Sequence, residues 1–151
     1  MKFFIICLVS SLFLILTSCN SDRTDEVTTE INISGNWKVD HYEVKGKNYP
    51  ASACDVNDKI NVNVDKTGSY IDSETNTTTN GCYDLVNLAG NWMLNSSNSV
   101  LELKYIENNV TMTKSFQLDA ISNNEMRILN PSKVLPGVPS TGEVVEVWIK
   151  L

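Results

Sequence analysis

Histidine is almost missing from this chain: His41 is the single one among 151 residues. That removes most hydrolytic and metal-dependent chemistry, which draws on clustered imidazoles. Basic charge is scarce as well. Twelve Lys and Arg stand against 18 Asp and Glu, a net charge of −6 and a pI near 4.7. No basic stripe is present to neutralise phosphates, so nucleic acid is not expected as a partner. The apolar run at 3–16 has 14 residues, two of them serine, and falls short of the roughly 20 that span a bilayer as a helix. Beyond residue 30 no segment holds a 3.6-residue hydrophobic period. Also missing are a Ser-His-Asp ordering, a phosphate-cradling glycine loop and a carboxylate pair in a credible pocket. No catalytic residue, metal or cofactor is therefore expected. What is present, 42% hydrophobic and 20% charged, is the composition of one globular domain.

Met1-Lys2 and the run behind them read as the positive and apolar regions of a signal peptide covering 1–18. The run ends in Leu16-Thr17-Ser18-Cys19, which closely resembles the lipobox of bacterial lipoproteins. The resemblance implies cleavage before Cys19, a diacylglycerol on its thiol, and acylation of the new amino terminus. An unlipidated secretory signal is the competing reading. Two or three acyl chains anchor stably to a lipid bilayer where one is marginal. The mature chain keeps 11 basic and 18 acidic residues, net −7. Anionic headgroups repel such a surface, so the lipid and not charge holds it. Residues 19–32 are polar and acidic and read as a flexible tether, about 40 Å long when fully extended. Ser21, Asp22, Asp25 and Glu26 resemble the surface-export signal of Bacteroidota lipoproteins. The implied location is the cell envelope, anchored in the outer membrane, on its periplasmic or its surface face.

With Cys7 removed in the signal and Cys19 lipidated, Cys54 and Cys82 remain. In an oxidising envelope two remaining cysteines pair. Closing the loop of 27 intervening residues contributes about 2–4 kcal/mol. Two free thiols or an intermolecular bridge are the alternatives.

Period-two alternation and turn signals recur through 33–151, and eight short strands are expected. Ile33, Trp37, Val39 and His41 share one face of the first. Ile60, Val62 and Val64 alternate in a second, followed by the Asp65-Lys66-Thr67-Gly68 turn and a third strand at 69–72. Residues 88–94 form the fourth, with Leu88, Trp92 and Leu94 together. Leu101, Leu103 and Tyr105 line the fifth, and Val110, Met112, Phe116 and Leu118 the sixth. Asn108-Asn109 and Asn123-Asn124 suit tight hairpins. Residues 125–129 form the seventh strand, and Val145, Val147, Ile149 and Leu151 share a face of the last. Evenly spaced antiparallel strands make an up-and-down barrel or a sandwich.

Gly35-Asn36-Trp37 at the first strand resembles the G-x-W signature of lipocalins. The order of G-x-W, Cys54, a D-x-x-G hairpin, Cys82, a second G-x-W at Gly90-Asn91-Trp92, and a terminal Trp148-Ile149-Lys150 resembles the small lipocalin-like domains of Bacteroidota lipoproteins. The resemblance spans nearly all of 33–151 and implies an eight-stranded barrel. The two glycines would let Trp37 and Trp92 pack close at its base.

In an eight-stranded meander the connections alternate between two ends. Those at 46–58, 73–87 and 131–142 are long and fall at one end, as do Cys54 and Cys82; both termini fall at the other. A tether from Cys19 would then hold the closed base and turn a loop-lined mouth away from the membrane. Eight strands enclose an interior that is either filled by side chains or holds one small molecule. Trp37, Trp92, Tyr105, Met112 and Phe116 point inward, and Trp92, Tyr105, Met112 and Phe116 would line an apolar cavity with few polar groups. His41, inward on the first strand, reads as a structural histidine, and Glu143 and Glu146 as a solvated face. Two functions compete: a binding module that captures a small hydrophobic ligand, or an interaction or inhibitor lipoprotein whose long loops, above all 131–139, dock on an envelope protein.

Overall fold

The computed structural model describes residues 31–97, 99–138 and 143–151. The signal peptide, Cys19 and most of the tether lie outside the described residues. Nine strands follow in order: β1 (Gly35–Val44), β2 (Lys47–Pro50), β3 (Lys59–Val62), β4 (Thr67–Thr75), β5 (Cys82–Asn95), β6 (Val100–Glu107), β7 (Val110–Ile121), β8 (Glu125–Asn130) and β9 (Val144–Lys150). A 3-10 turn, Asp55–Asn57, precedes β3. Successive strands pair antiparallel, and β9 returns to β1. Strand β1 together with β3 to β9 therefore closes an eight-stranded barrel. Closure removes the free sheet edges that a sandwich would keep.

The ninth strand comes from a hairpin within the expected 46–58 loop. Lys45 and Gly46 both take positive φ, 50° and 74°, as the tightest hairpins require. Strand β2 then pairs with residues 41–44 of β1, while β3 pairs with residues 35–38. The expected connection over 46–58 is thus a short strand plus a 3-10 turn. The expected loop over 73–87 is also shorter: β4 and β5 stay paired as far as Thr75↔Cys82, leaving only residues 76–81 between them. Val64, expected in a strand, lies beyond β3 and is 90% exposed.

The two ends differ as the connection lengths imply. Residues 63–66, 96, 97, 99 and 122–124 close one end, where Asn32 donates its backbone N–H to Asn123 Oδ1 at 3.1 Å and Leu151 donates to the Asn36 carbonyl at 2.8 Å. Both ends of the described chain thus sit at the tight-turn base. The opposite end carries residues 45–58, 76–81, 108–109, 131–138 and 143. There Cys54 and Cys82 are joined in a disulfide with Cα atoms 5.3 Å apart, tying the 3-10 turn to the start of β5.

The base is packed solid. Trp37, Trp92, Trp148, Ile60, Leu101, Leu103 and Met126 are all buried to 2% exposure or less. Each indole N–H is satisfied: Trp37 donates to the Ile33 carbonyl, Trp92 to the Asn61 carbonyl at 2.9 Å, and Trp148 to Glu146. Trp92 on β5 reaches Asn61 on β3 by lying across Gly68 of β4. A Cβ on Gly68 would stand 2.9 Å from the indole nitrogen and 1.9 Å from the Asn61 carbonyl oxygen, so no larger residue fits. Gly90, directly paired with Gly68, is equally confined, by the Lys104 carbonyl at 2.0 Å from an ideal Cβ.

Two strand faces differ from expectation, on β1 and on β9. A bulge at Asp40 lets Val39 pair with Trp148 and His41 with Val147, so the inward phase of β1 passes from Trp37 and Val39 to Tyr42 and Val44. His41 therefore turns outward, against Asp40 at 2.8 Å and Glu43 at 3.5 Å. On β9 the core takes Val144 and Trp148, the phase opposite to the expected Val145, Val147, Ile149 and Leu151. Val147 is nonetheless buried, at 1%. Arg127 of β8 reaches across β9 to Glu43 of β1, with hydrogen bonds of 2.9 and 2.7 Å, and covers it.

Candidate functional site

Burial along the barrel axis locates the site. On β6 and β7 the inward pairs run from base to mouth as Leu101↔Phe116, Leu103↔Lys114, Tyr105↔Met112 and Glu107↔Val110. Leu101 and Leu103 are fully buried and Phe116 is 7% exposed, but Met112 is 41% and Val110 57% exposed. Side chains on the lumen face are thus wet at the mouth. The wall itself is split there. Strands β5 and β6 pair only from Gly90↔Tyr105 to Asn95↔Val100, so residues 82–89 of β5 pair with β4 alone. Strands β7 and β8 pair only from Gln117 onward. The tip of the β6–β7 hairpin consequently stands free of both neighbours in the ladder, and the upper lumen opens beside it.

Two chemically distinct walls face this opening. Val86 and Leu88 on β5 and Tyr105 on β6 are half-buried against the core and, with Met112 of β7, form an apolar side. The other side, from β9 through β1 and the 3-10 turn to β4, is polar. Tyr42 and Glu146 are directly paired across β1 and β9, and both are buried. Glu146 accepts hydrogen bonds from Asn130 Nδ2 at 2.7 Å and Trp148 Nε1 at 3.2 Å. Glu146 was expected on a solvated face; instead burial pushes its pKa up. Asp58, 4% exposed, accepts the Ser73 backbone N–H at 2.6 Å. Burial first, and then the Asp72 charge, push its pKa up to about 7. Asp72 is raised too, again mainly by burial. Asp55 goes the other way: burial opposes ionisation, but the Lys133 ammonium at 3.0 Å and the Ser52 donors outweigh it.

Lysines enter the same space. Lys133 Nζ lies 5.1 Å from the Tyr42 ring centroid, and Lys114 Nζ 5.7 Å from that of Tyr70. The Tyr42 hydroxyl is fully buried, beside the Asp55 carboxylate. Burial and the charges of Asp55, Glu146 and Asp58 hold its pKa well above the ordinary range.

The four expected lining residues separate accordingly. Trp92 and Phe116 belong to the packed base, with ring centroids 5.8 Å apart, and do not face the opening. Tyr105 and Met112 do. The expectation of few polar groups is wrong: Tyr42, Asp55, Asp58, Asp72, Lys133 and Glu146 were missed. Tyr42 was hidden by the bulge, and the acids by their polar surroundings in sequence. Among the described residues no three His, Cys, Asp or Glu side chains are grouped to hold a metal ion.

A closed antiparallel barrel, packed at one end and open at the other, is matched over residues 33–128 by the family described as the lipocalin-like domain. The chain belongs to that family. No curated protein and no solved structure matches it. Lipocalin-like domains are generally binding folds rather than catalytic ones.

Proposed function

We propose that this lipocalin-like protein is a non-catalytic binding module that captures a small molecule with a hydrophobic body in the upper half of its barrel. The observation that carries the reading is the burial gradient. The same inward phase that is dry at Leu101 and Leu103 leaves Met112 and Val110 about half exposed, so the lumen surface is both apolar and accessible. A concave apolar wall facing a few fixed polar groups is the usual form of a small-molecule site. An acyl anchor on Cys19 would attach through a chain that enters at the base, beside Asn123. The mouth then faces away from the outer membrane. Docking of the 131–139 loop on an envelope protein has less support, because Lys133 is bonded to Asp55 and Leu135 is 8% exposed, so this loop folds back on its own barrel.

The test is titration of the protein with an apolar fluorescent probe, together with mass spectrometry of small molecules extracted from the purified chain. Met112→Lys places a charge on the apolar wall at a half-exposed position and should abolish probe binding without unfolding the barrel. Unchanged probe affinity in that variant would overturn the reading.

A further inference from the structure

We propose that Cys82 is a site of reversible modification by small thiols: an incoming thiolate attacks the Cys82 sulfur of the Cys54–Cys82 bridge, and Thr75 stabilises Cys54 as the leaving group. The two half-cystines differ in setting. Cys54 is 3% exposed, whereas Cys82 opens β5 and is exposed. Thr75↔Cys82 is the last rung of β4 on β5, and residues 82–89 have no ladder partner on their other side among the described residues. A thiol reaches Cys82 from that free edge. Exchange favours the accessible sulfur, and it is faster when the departing thiolate is stabilised. Burial opposes charge on Cys54, but the Thr75 hydroxyl already donates to Cys54 Sγ at 3.2 Å. The donor thus sits on the sulfur that must leave, not on the one attacked.

The attacking sulfur's lone pair forms the new S–S bond to Cys82. The electron pair of the old bond passes to Cys54, which then takes a proton from water. The incoming thiol is oxidised and Cys54 is reduced, and a return attack by Cys54 on the adduct restores the bridge and frees the thiol. Two contacts that do not involve sulfur keep the 3-10 turn on the barrel while the bond is open. Asp58 accepts the Ser73 backbone N–H at 2.6 Å, and Asp55 pairs with Lys133 at 3.0 Å. Exchange therefore uncouples two walls of the mouth without unfolding them. Residues 73–85 carry Glu74 and Asp84 and no Lys, Arg or His, which favours a thiol with a cationic body over an anionic one.

The experiment exposes the oxidised full chain in detergent micelles to excess cysteamine, quenches with acid at intervals, alkylates in denaturant and maps the adducts. Trypsin cuts after Lys59 and Lys66, so the two cysteines fall on separate peptides. Cysteamine should be found on Cys82, with Cys54 alkylated and native tryptophan fluorescence retained until the quench. Thr75→Val, at an exposed position, should slow adduct formation about fivefold, the worth of one hydrogen bond, while Thr75→Ser keeps the wild-type rate. Scaled to their rates on a neutral model disulfide, cysteamine should outpace 3-mercaptopropionate; equal or reversed rates would overturn the cationic preference. No adduct, an adduct on Cys54, an equal share on both, or Thr75→Val reacting at the wild-type rate would overturn the assignment. So would loss of native fluorescence on exchange, because the bridge would then open only by unfolding.

Discussion

Replacing Trp92 with alanine and replacing Met112 with alanine should have opposite consequences, and the contrast tests the division of the barrel into base and mouth. Trp92 is 2% exposed, packs on Phe116 and donates to the Asn61 carbonyl. Its truncation removes a buried indole, opens a cavity and strands that carbonyl. Core Trp→Ala changes cost about 3–5 kcal/mol, a large share of a total stability of about 5–15 kcal/mol. Met112 keeps 41% of its surface in water. Full burial of a methionine contributes about 1.5–3 kcal/mol, so at this exposure truncation should cost about 1–2 kcal/mol. Urea unfolding followed by the fluorescence of Trp37 and Trp148 measures both, since these reporters survive in each variant. Titration with an apolar probe then supplies the second axis: Met112→Ala should weaken binding several-fold while staying folded. Equal destabilisation by the two variants would mean that the lumen is closed at Met112, and the argument for an open mouth would fail.

Reduction of the Cys54–Cys82 bridge should lower stability by about 2–4 kcal/mol; alkylation of both thiols in the unreduced native protein would contradict the pairing. Gly68→Ala drives a Cβ into the Asn61 carbonyl and the Trp92 indole nitrogen and should cost about 3 kcal/mol or more, whereas a thermal midpoint within a degree of wild type would show that the strands yield there. Asp58 keeps its proton in the folded state up to about pH 7, against 3.8 for an ordinary aspartate. The folded chain therefore binds more protons between those values, and stability should fall as pH rises from about 4 to 7, by at most about 4 kcal/mol. Asp58→Asn should flatten that slope in urea midpoints taken across the range, and an unchanged slope would refute the assignment. Cys19→Ser should abolish acylation and leave uncleaved or mislocalised precursor; a variant that still carries three acyl groups would sink the proposed anchor.

The barrel was legible because most strands alternate in phase with their turns. Leu101, Leu103 and Tyr105 on β6 meet Phe116 and Met112 on β7 across Asn108-Asn109, whose φ values of 50° and 63° suit asparagine. The pairing of Cys54 with Cys82 agrees with the expectation drawn from the cysteine count. What was lost was phase. A bulge inserts one residue and moves every later side chain to the opposite face, and at Asp40 this exchanged His41 for Tyr42. A signal did exist: apolar Trp37 and Val39 are followed by Tyr42 and Val44, a slip from odd to even positions that a bulge explains. On β9 alternation misled for a different reason. Arg127 and Glu43 cover the outer face, so Val147 is buried outside the barrel while Glu146 points into it. The acids of the mouth could not be read at all, because only folding brings Asp58, Asp72 and Glu146 together from three separate segments.

The polar mouth and the apolar base depend on each other. Buried carboxylates are costly unless they are hydrogen-bonded or paired, and here Asp58 accepts the Ser73 backbone N–H, Glu146 accepts from Asn130 and Trp148, and Asp55 pairs with Lys133. The splits that admit water at the mouth are affordable in stability because the base is dense. Three tryptophans with satisfied indoles, and two glycines that let strands and rings close on each other, hold the barrel shut. An even number of barrel strands returns the chain to the end where it entered, so the N-terminal segment meets the base at Asn123 and the C-terminus meets it at Asn36. The proposed N-terminal anchor would therefore load the rigid end of the barrel and leave the open end facing solvent.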